Sequence, residues 1–128
     1  MLVYKYNYRW DLQNANWTIR KRRWFEEHNI VVFYPSILRW FWLMFWILVS
    51  KKPSVAVKES ITCYWLSSGP WGAYHPDKNA VSICPWMIKD APGGLEGVIK
   101  HEIAHLNHLE ADTMDSHEEK EKYIEKYS

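Results

Sequence analysis

His101, Glu102 and His105 have the types and spacing that metal chemistry requires. They form an H-E-x-x-H pattern inside GLEGVIKHEIAHLNHL, residues 94–109. Side chains four apart stack on one helical face. Two imidazoles placed there can close on one Zn²⁺ at the ~2.0–2.1 Å nitrogen distance that zinc prefers. Glu102 flanks the metal without occupying a ligand corner, so its carboxylate can take a proton from water held there. Such a pattern arises by chance in a chain this size only at roughly a few per thousand. It is therefore read as a site rather than as two surface histidines.

The chemistry needs a helix, and the surrounding residues supply one. Leu95, Val98, Ile99, Ile103, Ala104, Leu106 and Leu109 recur at helical spacing, and Pro92-Gly93-Gly94 is a breaker just ahead of them. Upstream, Ile61–Leu66 is β-branched and aromatic and predicts a strand. After the turn Ser67–Pro70, Gly72–His75 and Ala80–Ile83 flank Pro76-Asp77-Lys78-Asn79, which is hairpin chemistry. The expected fold class is α+β: a small, mostly antiparallel three-stranded sheet packed on helices. Downstream, His117–Tyr127 predicts a second helix, N-capped by Ser116 or Asp115.

The N-terminal part, residues 1–52, is aromatic and basic. Met1–Tyr8 reads as a short strand or a tyrosine-lined arm. Between Asp11 and His28 a polar helix is expected, with Trp10, Trp17 and Trp24 seven apart on one face. Arg20–Arg23 is a basic cluster, either a solvated face or a contact for anionic groups. Residues 30–49, IVVFYPSILRWFWLMFWILV, are nearly all apolar. A helix apolar on all sides is buried in a core or in lipid. Its length approaches the ~20 residues of a span, but Pro35 and Arg39 interrupt it. A central core helix is the expectation, with membrane contact through residues 37–49 as the alternative.

At 128 residues one domain is expected, residues 1–128, with residues 61–127 as its metal-binding part. The net charge of +1 argues against a nucleic-acid partner. Cys63 and Cys84 form no CxxC pair and read as buried reduced thiols. The opening residues lack the apolar core of a secretory signal, so an intracellular protein is expected.

The strand, the hairpin ending before Pro85 and the motif helix together resemble the zincin metallopeptidases. Gly72–Tyr74, Pro76, Ala80–Ile83, Pro85 and Leu95–Leu106 look most like their smallest members, the minimal single-domain gluzincins (minigluzincins) and the SprT-like zinc domains. The resemblance covers residues 61–127. It implies a zinc-dependent endopeptidase acting on peptides or unfolded proteins, with His101 and His105 as ligands and Glu102 as general base. It also implies that a hairpin strand, Gly72–His75 or Ala80–Ile83, holds an extended substrate by strand addition, which makes Tyr74, His75, Ala80 and Ser82 candidate substrate-binding residues. Tyr74, His75 and Tyr123 are candidate donors to a developing oxyanion.

A catalytic zinc takes three protein ligands and keeps one open position. His108 reads as a surface histidine rather than the third, because a rise of 1.5 Å per residue puts it ~10 Å along the helix from His101. His117 opens the second helix where SprT-like proteins carry a third histidine, and it is the leading candidate. Gluzincins use a glutamate on that helix instead, which leaves Glu118, Glu119 and Glu121 as alternatives. A non-catalytic module, held together by zinc and binding a membrane or a protein, is the competing reading; closed structural sites take four protein ligands.

Overall fold

The computed structural model describes residues 1–128. Four strands form the main sheet: β1 (Leu2–Lys5), β3 (Ile61–Trp65), β5 (Gly72–His75) and β6 (Ala80–Ile83), in spatial order β1-β3-β6-β5. β5 and β6 pair antiparallel, with Tyr74 opposite Val81, as the hairpin chemistry predicts. The expectation of a three-stranded, mostly antiparallel sheet is corrected in two respects. β6 inserts between β5 and β3 and runs parallel to β3, and β1 adds a fourth strand, also parallel. Local alternation marks which residues are extended, but not which neighbour a strand takes. β1 joins because Leu2 and Tyr4 pack against the core, where the Tyr4 ring stacks on Trp65. A two-residue ribbon pairs β2 (Val32–Phe33) with β4 (Gly69–Pro70).

Side chains alternate across the sheet. Ile61, Cys63, Trp65, Val81 and Ile83 point to one face and form the core with Val98, Ile99 and Ile103 of α4 (Gly94–Asn107) and Leu43 of α3 (Ile37–Val49). The opposite face carries Tyr64 and His75, and Trp10 of α1 (Tyr8–Arg20) covers both. A break at Lys21 separates α1 from α2 (Arg22–Glu27).

α3 departs from the expectation of a central core helix. Ser36 caps its start, accepting a hydrogen bond from the Arg39 backbone N–H. Only Leu43 is fully buried; Trp42, Met44, Trp46 and Ile47 are partly buried against the sheet and α4 side. The outer face of α3 stays exposed, as no other element of residues 1–128 packs on it. No helix is long and apolar enough to cross a membrane.

The motif helix starts where the breaker predicts. Gly93 occupies its N-cap in the left-handed region, at φ 75°. After α4 a 3-10 turn, Leu109–Thr113, reverses the chain into α5 (His117–Glu125). Ser116 caps α5 by accepting from the Glu119 backbone N–H at 3.1 Å. Ile124 then packs with Ala104 and Ala111, which ties α5 to α4.

Candidate metal centre

α4 directs His101, Glu102 and His105 to one place. Their donor atoms all lie within 4.8 Å of one another. The two imidazole rings sit 4.9 Å apart, nearly perpendicular. The docking of Ile124 turns Glu121, three residues earlier, towards them. His101 Nε2 lies 2.8 Å from Glu121 Oε2, and His105 Nε2 lies 3.2 Å from Glu121 Oε1. Both ring nitrogens thus converge on one carboxylate. Two nitrogens and one carboxylate oxygen are a donor set suited to zinc.

Glu121, and not the leading sequence candidate His117, is the side chain that meets the two imidazoles. His117 sits one turn before Glu121, with Nε2 4.0 Å from Glu121 Oε1 and no contact to His101 or His105 of the kind Glu121 makes. Its ring packs instead between Trp24, at 5.5 Å, and His28, at 5.6 Å. Glu118 and Glu119 are exposed, and neither bonds His101 or His105. His108 caps α4, bonds Glu110 and stacks on Tyr127, away from His101 and His105.

The electrostatics follow from these contacts. Burial pushes the Glu121 carboxyl up, but hydrogen bonds from His101 and His105 outweigh it and hold the group below the usual carboxylate range. The bond to Glu121 in turn raises His101. A cation is favoured wherever a partly buried carboxylate faces two imidazoles. Glu102 is in the opposite position. It is 8% exposed and makes no protein hydrogen bond, and burial pushes its carboxyl up to about 7. That is the range in which a carboxylate exchanges protons readily at neutral pH.

Tyr74 faces the site from β5. Its ring lies flat on His105, with centroids 4.4 Å apart and planes 1° from parallel, and its hydroxyl donates to Asp112. Lys120 also binds Asp112, at 3.1 Å. This clamp fixes the ring of His105, whose Nδ1 is buried without a protein partner. The clamp occupies the Tyr74 hydroxyl, and the Tyr123 hydroxyl lies 3.2 Å from Glu110. His75, Ala80 and Ser82 are not brought to the metal group. His75 points to the opposite face of the sheet, where Nε2 meets Ser82 Oγ at 2.9 Å. Ala80 and Ser82 are buried on β6, whose backbone is paired on both sides. Of the two hairpin strands only β5 has a free edge.

That edge borders a cleft of about 1230 Å³. One side of it is the metal group with β5; the other is α1 and α2, which present Trp10, Trp17 and Trp24. The seven-residue tryptophan spacing marked this wall in the sequence, but gave no sign of what it faces. Gly72 reads in the sequence only as part of a hairpin strand. A Cβ there would lie 2.7 Å from Glu102 Cγ and 2.8 Å from Val98 Cγ1, so β5 crosses α4 directly over the buried carboxylate. Asp112 and Lys120 also carried no motif and act only through the clamp.

No family model, curated protein or solved structure matches the chain.

Proposed function

We propose that the chain is a zinc-dependent endopeptidase, with His101, His105 and Glu121 as metal ligands and Glu102 as general base. The observation that carries this reading is the convergence of both histidine Nε2 atoms on the Glu121 carboxylate, beside a buried Glu102 without a partner. When bound, zinc supplies a Lewis acid that polarises a carbonyl oxygen and makes water more acidic.

The free edge of β5 offers unpaired N–H and C=O groups, and an extended peptide adds to it as a further strand. Backbone pairing of this kind selects weakly among side chains, which suits peptides and unfolded proteins. Glu102 takes the proton of the attacking water and returns it to the leaving amine. Tyr74 holds the His105 ring in place through Asp112. The tryptophan wall of α1 and α2 narrows the cleft and restricts water around the reacting bond.

The test is cleavage of unfolded casein by the purified chain. Hydrolysis that is abolished by a chelator, restored by zinc and absent in Glu102→Gln supports the reading. Hydrolysis that persists unchanged in Glu102→Gln overturns it.

One observation favours a second reading, a zinc-stabilised module without activity. His117 lies only one turn from Glu121, and a fourth protein ligand would close the site. In that case His117→Ala releases zinc and unfolds α5. In the peptidase reading the same variant keeps its zinc.

A further inference from the structure

Six large apolar side chains on α3, Ile37, Leu38, Phe41, Phe45, Leu48 and Val49, are 59 to 83% exposed. They follow helical spacing along a 13-residue helix, so they form one stripe ~20 Å long. Lone exposed apolar residues are ordinary, but a contiguous stripe of this size marks a contact surface. The inner face of the same helix is packed on the core through Leu43, Trp42 and Trp46, so the stripe cannot be a core face waiting for a sheet.

We propose that α3 docks the chain flat on an anionic lipid bilayer. Charge selects this occupant. Residues 1–60 carry ten Lys or Arg against four Asp or Glu, whereas residues 61–128 carry six against eleven. The half that bears the stripe is therefore net +6 and the half that bears the metal group net −5. Cations stand at both ends of the stripe. The exposed Lys51 follows its last turn, next to Lys52, which turns back onto the Ile47 and Ser50 carbonyls, and Arg22, paired with Glu26, lies 5.7 Å over the ring of Tyr34, three residues before Ile37. Tyr8 packs against Trp40 beside the exposed Arg9.

A second copy meeting this face would set two positive halves against each other. An anionic lipid surface neutralises them instead. The helix is too short to cross a bilayer, so it lies in the interface with its apolar stripe among the acyl chains and its flanking cations at the headgroups. Residues 61–128, which carry His101, His105 and Glu121, are net negative and are repelled by the same surface.

The experiment is flotation of the full chain with vesicles of phosphatidylcholine alone or phosphatidylcholine with phosphatidylserine. Binding to the serine-containing vesicles is expected to be at least about tenfold tighter at low salt and to weaken as salt rises. Replacing Phe41 and Phe45 together, Phe41→Ser with Phe45→Ser, is expected to weaken it by at least about tenfold while the far-UV circular dichroism stays unchanged. A second readout does not depend on that variant. An environment-sensitive dye on Phe45→Cys brightens with vesicles, and the same dye on Glu110→Cys does not; Cys63 and Cys84 are buried and take no label. The proposal is overturned by three results: no flotation, equal binding to neutral vesicles, or a vesicle-independent dimer that the paired serine variant dissociates.

Discussion

Gly72→Ala tests the geometry that brings a substrate strand to the site. The added methyl meets Glu102 Cγ at 2.7 Å and Val98 Cγ1 at 2.8 Å, both well inside van der Waals contact. Neither neighbour yields cheaply. Val98 is β-branched and buried on a helix, which leaves it one preferred rotamer. Glu102 is enclosed between α4 and β5. Overpacking of this kind costs about 1–3 kcal/mol. With an unfolding entropy of ~2.1 cal/mol/K per residue, a chain of 128 residues loses about 4 °C per kcal/mol. The expected fall in Tm is therefore about 4–11 °C, measured by circular dichroism with zinc saturating. Val98→Ala removes one of the two clashes, so the double variant should be more stable than the sum of the single costs by about 0.5 kcal/mol or more. The same substitution displaces Glu102 but no ligand, so hydrolysis should fall further than zinc content. A Gly72→Ala chain that melts with the parent and shows no coupling to Val98 would refute the crossing of β5 over α4.

Further outcomes follow from the same contacts. Glu102→Gln should keep its zinc and cleave casein about 10²- to 10⁴-fold more slowly, read as initial rates at equal metal content. Tyr74→Ala should weaken zinc binding about 10- to 100-fold by freeing the His105 ring, whereas Tyr74→Phe keeps the stack and loses only the bond to Asp112; chelator competition separates the two. Cys63 and Cys84 should resist a thiol reagent at pH 8 and react fully in guanidinium, because burial raises both and pushes Cys84 up to about 12. Burial lowers His75, so the unfolded chain binds that proton more readily than the folded one and stability falls as pH drops below about 6.5. His75→Gln should flatten that part of the acid limb in denaturation curves at pH 5 and pH 7.

The motif helix was legible because its signals are local. A breaker, an apolar stripe and two histidines four apart all lie within residues 92–109. The hairpin and the Ser116 cap were legible for the same reason. What the sequence hid depends on distant packing. Glu121 and His117 lie four apart on one helix and look equivalent, and only the docking of Ile124 on Ala104 and Ala111 decides which of them meets the imidazoles. The insertion of β6 between β5 and β3 buries Ala80 and Ser82, although alternation alone leaves either hairpin strand available for a substrate. Residues 40–49 are apolar on every side, so the pattern could not tell a packed face from an open one. Leu43 and Phe45 differ only by which side the sheet occupies.

The ligand set is tested most directly by the zinc content of three purified chains after dialysis against trace-metal-free buffer. The parent and His117→Ala should each retain about one zinc per chain, and Glu121→Ala should lose it. Retention by Glu121→Ala together with loss from His117→Ala would contradict the account.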